Sequence, residues 1–525
     1  MLITLFFIVV FCGTVSAANY TVGPGSSYNY STISSAVAAA SNGDNITVYS
    51  NNGNPYIENI VISRNLTLKA NGQVTVKPSN SGLTVIDVYP EGSGSTIQGF
   101  TLIGPDTASG ISVSYAHDVK VINNTIINCT NGVYGSPSNN TVISGNTIKY
   151  TGSGYIYGVY LDGSSNEVSK NTITITGNSA GDSRGIHTWG NSHKISGNTI
   201  TITGSGTSGA YGISLNSASG NGHNIEISGN TIQTTTTGNS IALELGSTFS
   251  DHAFGNNILG GKITNFGTNN HLNFNRIIGN SIIVCDGGVT LDALYNWYGS
   301  NDNPSSKIIT YSGSIVNYDP WLILNVTAPS TAYTGGTSQI TADFTHDSAG
   351  GFHNPASGHF PDGIPVTFTT TMGSIVNPSY TVNGVAQSTL ISGLIVGTSN
   401  ISTTLDSQTL NKSVIIVDNT PPKLITTYPK SGTTGFSRTA TITVRFSENI
   451  KVSINWSKVY IKNMSTGKLV SFTKSIAGNT LYLRTTYKRN AYNWYQVYIP
   501  AAAIKDYAGN NLATGYVFGF KTGKY

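Results

Sequence analysis

The sequence predicts an all-β chain, a long right-handed parallel β-helix followed by two β-sandwich domains. Three observations lead there. An Asn-Thr-Ile motif recurs between residues 123 and 282, short alternating strands flank its copies, and from Leu324 the repeat gives way to longer alternating strands separated by Gly, Asn and Pro turns. Composition agrees: glycine is abundant (60 of 525 residues) and only 10% of residues are charged, so strand and turn formers outweigh helix formers. A chain of this length exceeds what one core supports.

The motif reads Asn-Asn-Thr-Ile at 123–126, Gly-Asn-Thr-Ile at 145–148, Lys-Asn-Thr-Ile at 170–173, Gly-Asn-Thr-Ile at 197–200 and 229–232, Asn-Asn-Ile at 256–258 and Gly-Asn-Ser-Ile at 279–282. Its second residue recurs at intervals of 22, 25, 27, 32, 27 and 23. A minimum near 22 with variable excess describes a fixed rung plus loops of changeable length, as in a stacked solenoid. Alternating strands precede the motif (141–144, 224–228) and follow it (173–176), and a third strand appears at 131–134, 157–162, 184–187, 211–215 and 240–244. Three strands per rung make a triangular prism of roughly nine or ten rungs, ending near residue 320. The recurring Asn suits a tight turn, where it tolerates left-handed backbone and can bond to the Asn above and below.

Before the repeat, residues 2–11 are apolar and Val15-Ser16-Ala17 offers small residues for cleavage, the pattern of an export signal over 1–17, although no Lys or Arg precedes the apolar core. The stretch is short for a membrane span, and none is expected in the mature chain. Residues 31–42 suit an amphipathic cap helix with Ser31 as N-cap and Gly43 as terminator. Cys129 and Cys285 each lie five residues after a motif Asn (Asn124, Asn280), which places them in one column about six rungs apart. At ~4.8 Å per strand that is ~29 Å, beyond disulfide reach, so both are expected as free thiols. Twelve Asn-X-Ser/Thr sequons, from Asn19 to Asn463, are candidates for glycosylation after export.

The cap-helix run, then Gly43-Asp44-Asn45-Ile46-Thr47-Val48, Tyr56-Ile57-Glu58-Asn59-Ile60-Val61-Ile62 and Leu66-Thr67-Leu68, followed by the Asn-Thr-Ile rungs, resembles a pectin-lyase-like right-handed parallel β-helix over about residues 20–320. That scaffold serves lyases, hydrolases, epimerases and adhesins alike, so the resemblance implies a fold rather than an activity. The segments Leu294–Ser305 and Val316–Trp321 resemble the junction in adhesin-like surface proteins of methanogenic archaea, where a β-helix passes into Ig-like domains. Trp297 and Trp321 are expected to cover the rung ends, with Pro304 and Pro320 stopping further pairing.

The trailing domains are read as Ig-like β-sandwiches over 323–417 and 418–525, with the β-helix over 18–322. Asp362–Phe368 followed by Gly373-Ser374-Ile375 resembles the bacterial Ig-like domains of invasins and intimins. Tyr428–Gly432, Ile442–Glu448 and Ile504–Asn510 resemble a second bacterial Ig-like type found in surface-layer proteins. Charge divides at the linker: residues 418–525 carry 15 Lys and Arg against 3 Asp and Glu, residues 1–417 carry 12 against 20. A basic sandwich on an acidic body points to anionic envelope polymer as a partner, and export argues against nucleic acid for the Lys488-Arg489 region among its tyrosines.

Aligning the Gly-Val and Gly-Ile strands places Tyr134, Tyr160, His187 and Ser214 in one outward column and Asp162, Trp189, Asn216 and Glu244 in a neighbouring one. Aromatic and polar side chains in this order suit a glycan-binding strip, against the plainer reading of a solvated face. Asp162 and Glu244, three rungs apart, stand ~14 Å from one another, beyond the ~5–9.5 Å of a glycosidase pair. His346, Asp347, His353 and His359 are candidate metal ligands with irregular spacing. Asp302, between two asparagines, is better explained by turn formation than by calcium. The chain therefore reads as a secreted, cell-surface adhesin-like or envelope protein that binds glycans or other surface polymers without catalysis and without a cofactor. The alternative is a polysaccharide-active β-helix enzyme, a lyase, hydrolase or epimerase.

Overall fold

The computed structural model describes residues 16–525 except 105, 178–180, 206–208, 217–222 and 247–248; the proposed export signal at 1–17 lies almost wholly outside the described residues. From Asn19 to Asn317 the chain winds through about eleven turns of a β-solenoid. Its strands form parallel sheets of thirteen, eleven and ten members. Alternation explains the inward face: Ile143, Val168, Ile195 and Ile227 occupy one register column, every one fully buried. Each such side chain contributes roughly 1.5–3 kcal/mol by leaving water.

The Asn turn forms the expected ladder. Asn124, Asn146, Asn171, Asn198, Asn230, Asn256, Asn275 and Asn296 pass side-chain hydrogen bonds along the stack, Nδ2 to the next Oδ1, at 2.9–3.1 Å. The same Oδ1 accepts the preceding Asn backbone N–H, and each Nδ2 also reaches a strand carbonyl, as Asn198 does to Val168. The ladder departs from the motif in its last turns. Asn256 rather than Asn257 is the member, and after it the chain returns in only 19 residues to Asn275, shorter than the shortest interval between motifs. Asn280 is outside the ladder for that reason. The turn count also exceeds nine or ten, because the turns before Asn124 carry no Asn motif; Phe100 stands one step below, its N–H donated to Asn124 Oδ1.

Losing Asn280 as a landmark moves Cys285 out of the column of Cys129. Cys285 lies in the strand Ile283–Cys285 of the eleven-stranded sheet, while Cys129 follows the strand Thr125–Ile127 of the ten-stranded one. Both are buried free thiols, and burial pushes the Cys129 thiol up to about 12.

The first turns are covered by the helix Ile33–Ala39, which buries Ile33, Ala36 and Val37. Its N-cap is Thr32, not Ser31: the Thr32 hydroxyl accepts the Ser35 N–H. Glu58, from the solenoid, accepts the N–H groups of Ile33 and Ser34, a carboxylate at the positive end of the helix. The helix stops at Ala40, whose backbone is extended, three residues before Gly43.

After the solenoid come two sandwiches. The first pairs a four-stranded sheet, containing Leu322–Thr327 and Thr337–Asp347, with a five-stranded one, containing Pro365–Thr370, Gly397–Leu405 and Gln408–Val417. Ile340, Phe344, Val366, Phe368, Ile401 and Val414 fill the space between them. The second packs two four-stranded sheets and a two-stranded ribbon around Ile442, Phe446, Ile461, Leu483, Val497 and Phe520. No described helix is long and apolar enough to cross a membrane.

The junction after the solenoid is packed. Trp297 is fully buried and meets Phe344 of the first sandwich edge-on, with ring centroids 5.3 Å apart, while Trp321 packs against the solenoid core. Trp321 thus lies against the solenoid core, whereas Trp297, expected to cover a rung end, belongs to the core of the first sandwich. Of the sequons, Asn463 is only 4% exposed and its Oδ1 accepts the N–H of Ser465, which leaves its amide occupied within the folded domain.

Candidate functional site

The outward column of the eleven-stranded sheet runs Asp87, Ser112, Tyr134, Tyr160, His187, Ser214, Glu244 by register. Glu244 therefore belongs with His187 and Ser214, not with Asp162, Trp189 and Asn216, which form the neighbouring column. The Gly-aliphatic landmark misleads at this rung because Ala242 stands where lower rungs have Gly132, Gly158, Gly185 and Gly212. Glycine is required at those four: a Cβ there would meet the next rung's carbonyl oxygen at 2.4–2.5 Å.

Placing Glu244 next to Ser214 creates a connected network. The Trp189 indole N–H donates to His187 Nε2 at 2.6 Å, which makes Nε2 an acceptor, and an Arg184 nitrogen lies 3.3 Å from Nδ1. Nδ1 faces Ser214 Oγ at 3.2 Å, and the Ser214 hydroxyl donates to Glu244 Oε2 at 2.5 Å. Arg184 donates to Ser214 Oγ at 2.7 Å, lies 3.7 Å from Glu244 and 3.2 Å from Asp182, and stacks 4.3 Å over the Tyr211 ring. His187 is 3% exposed; burial first, then the Arg184 charge, pull its pKa down to about 3. The imidazole is thus neutral, and the Ser214 proton points to the carboxylate rather than to the imidazole. A Ser-His-acid set is present in composition, but its protons run the wrong way for a serine nucleophile.

Around this network the rings of Tyr134 and Tyr160 stack, centroids 4.9 Å apart and 16° between planes, and Tyr157 meets Tyr160 edge-on. Burial, then the neighbouring Tyr134, Asp162 and Tyr157, raise the Tyr160 phenol to about 12. Asp162 accepts from the Ser136 hydroxyl at 3.0 Å. Tyr134, Tyr160, Asp162, Trp189, Asn216 and Glu244 all keep part of their surface in solvent. His187 does not, so any ligand on this face meets the aromatic rings beside it.

The four residues read as metal ligands do not converge: His353 and Asp347 pair with each other, and His346 and His359 each turn to a different carboxylate. His346 pairs with Asp343 at 3.0 Å, His353 with Asp347 at 2.8 Å, and His359 with Asp362 at 3.5 Å. Burial works to raise the Asp347 carboxyl, but the Gly351 N–H, His353 and the Ala349 N–H outweigh it and hold the group below its ordinary range. His353 lies against Tyr295 of the solenoid, ring centroids 4.1 Å apart, and belongs to the domain junction. Asp302 Oδ2 accepts from the Ser300 hydroxyl within its own turn.

Sequence reasoning missed a second carboxylate group. Asp418, Glu448 and Asp506 bring oxygens within 4.8 Å of one another, from the linker, the bend after the strand Ile442–Phe446 and the end of the strand Ile504–Asp506, far apart in sequence. Burial, then Asp506 and Asp418, raise the Glu448 carboxyl. These three are all the acidic residues of 418–525. No Lys or Arg of that domain forms an ion pair among the described residues.

The model of a right handed beta helix region matches residues 20–200, and that of a bacterial Ig-like domain matches residues 418–522. Among solved structures, the chain is similar to the Yersinia pseudotuberculosis adhesin InvE (16% identity, 38% of this chain and 60% of that one, TM-score 0.21). It is also similar to the Escherichia coli adhesin FdeC (11% identity, 39% and 66%, TM-score 0.21) and to domains 5-6 of the S-layer protein SbsC (15% identity, 39% and 100%, TM-score 0.15). The chain thus spans about two thirds or less of the length of the two adhesins. No curated protein matches it.

Proposed function

We propose that this chain is a cell-surface, adhesin-like or envelope protein whose β-helix binds saccharide without turning it over. The observation that carries this reading is the direction of the Ser214 proton in the Trp189–His187–Ser214–Glu244 network: the hydroxyl donates to Glu244, a carboxylate already paired with Arg184, and not to His187. What remains for a ligand is the strip of Tyr134, Tyr160 and Trp189, flanked by Asp162 and Asn216. Aromatic rings stack on the apolar faces of pyranoses, and three rungs span only ~10 Å.

The basic sandwich supplies the retention half of this reading. Its three carboxylates are gathered in one place, so its cations present an unopposed positive surface to anionic wall polymer or acidic surface-layer protein. The deciding experiment is a screen of purified chain against pectate, alginate and wall polysaccharides, scored for both binding and product. Turnover of any one of them replaces this reading with a β-helix lyase, hydrolase or epimerase. Binding that survives the Tyr160→Ala, Trp189→Ala double variant moves the saccharide site off the strip.

A further inference from the structure

A cleft of about 610 Å³ lies where the thirteen-stranded sheet of the solenoid meets the first sandwich. Its solenoid wall is His252, Phe254 and Asn273; its sandwich wall is the segment from Pro355 to Asp362. The floor is backbone, since Gly229 and Gly255 occupy left-handed turns (φ +63° and +61°) and project no side chain. The volume falls within the ~300–1,000 Å³ of small-ligand sites, which favour the seam between domains.

The walls are held before any ligand arrives. Gly358 packs so closely on Phe274 of the solenoid that a Cβ would meet the ring at 2.5 Å, and His353 on the sandwich side lies against Tyr295 with the ring planes tilted by 49°. Farther along the seam, Trp297 donates its indole N–H to Asp406 at 2.7 Å.

The lining selects a chemical class. Phe254 is 37% exposed and faces a wall containing Pro355 and Pro361, apolar surfaces of the size of a sugar ring. Hydrogen-bonding groups alternate with them. His359 donates from Nδ1 to the Phe360 carbonyl, so its Nε2 is an acceptor; Asn273 uses its amide nitrogen on Asp292 and Leu294, which turns its oxygen to acceptor duty. Among the described residues no Lys or Arg lines the cleft, and its one carboxylate, Asp362, lies 3.5 Å from His359 Nδ1. Burial and the neighbouring His271 hold His252 below its ordinary range, so this ring adds no cation at neutral pH. An anionic ligand finds no countercharge here, while a neutral, hydroxyl-bearing ligand with an apolar face matches both kinds of lining.

We infer that this interdomain cleft is a binding site for a neutral oligosaccharide, distinct from the aromatic strip on the eleven-stranded sheet. It rests on the reading of the chain as a saccharide binder, at a different place. The test is calorimetric titration of the full chain with neutral β-glucan and mannan oligosaccharides, with oligogalacturonate and a casein-derived peptide mixture as contrasting probes. Phe254→Ala, at a partly exposed position that folding tolerates, weakens the neutral oligosaccharide about tenfold, and His359→Ala weakens it several-fold; Tyr160→Ala with Trp189→Ala leaves that site intact. Absence of neutral-oligosaccharide binding, binding only of oligogalacturonate or peptide, or affinity unchanged in Phe254→Ala overturns the inference. Loss confined to the strip double variant also overturns it, and leaves the strip reading standing; loss confined to Phe254→Ala does the reverse.

Discussion

Trp297, near the end of the solenoid, donates its indole N–H to Asp406, in a hairpin of the first sandwich 109 positions later. Arg276 binds the same carboxylate through two nitrogens, and the hairpin continues the grip through Ser407 on Gly299 and Gln408 on Asn301. The pair of charged side chains is only 12% and 10% exposed. Removing Asp406 strands the Arg276 guanidinium and the indole N–H in a site with little water.

Asp406→Ala is therefore expected to cost about 3 kcal/mol or more and to uncouple the first sandwich from the solenoid. Urea unfolding followed by Trp fluorescence measures the first effect. Small-angle scattering measures the second, as a broader distribution of shapes. A single cooperative transition at the wild-type midpoint would show the clamp to be dispensable.

The Asn ladder predicts a second large effect. Asn198→Ala removes the acceptor of the Asn171 N–H and the donor to the Val168 carbonyl, both in a turn where Asn171 and Asn198 are 1% exposed. Each orphaned buried group costs about 1–3 kcal/mol, so the variant should lose about 3 kcal/mol in thermal or urea denaturation. Ser196→Ala, on the same rung, should lose far less.

Two buried histidines give the solenoid an acid-sensitive stability. His187 and His193 are held at about 3 and about 4, burial being the first cause for both. The unfolded chain protonates them near 6.5, so between there and these lower values the unfolded state binds more protons. Stability accordingly falls as pH drops through that window. From pH 6.5 to 5 the loss is about 2 kcal/mol for each ring, readable as a falling urea midpoint. NMR titration should show His187 unprotonated throughout; protonation near 6 would contradict the network that contains it.

Glu448 has the opposite sign. Its carboxyl is raised by burial and by Asp506 and Asp418, so just above its ordinary range the folded state holds the proton longer than the unfolded chain does. Stability then falls as pH rises through the window and stays lower beyond it. Glu448→Gln is expected to raise the melting temperature of the full chain at pH 7 and to flatten its pH dependence. A lower melting temperature would mean that the charged carboxylate is needed where it stands.

Retention through the basic sandwich should be a matter of salt. Full-length chain is expected to bind immobilised anionic wall polymer at low ionic strength and to release as the Debye length falls below its ~8 Å at physiological salt. Lys468→Glu with Lys488→Glu, two cations beside one surface hollow, should weaken this binding several-fold. Elution indifferent to salt would show that charge is not the anchor.

Periodicity alone determined the solenoid, because a side chain that must stack on its equivalent one turn away leaves its residue type at a regular interval in the chain. The Asn turns, the inward Ile and Val columns, the N-terminal helix and the change to sandwich strands after Leu324 were all legible this way. What the sequence could not decide was register where a landmark lapses. Ala242 in place of glycine hid the column of Glu244, and the 19-residue return to Asn275 hid the ladder's last turns, since spacing reports a rung only while its loops keep their length. Contacts between distant segments left no periodic trace at all. Asp406 on Trp297, the three carboxylates around Glu448 and the cleft between Phe254 and His359 exist because folding brings together segments whose separation in sequence follows no repeat. The acceptor role of His187 Nε2 was likewise a tertiary decision, set by the Trp189 indole that only the packed sheet places against it.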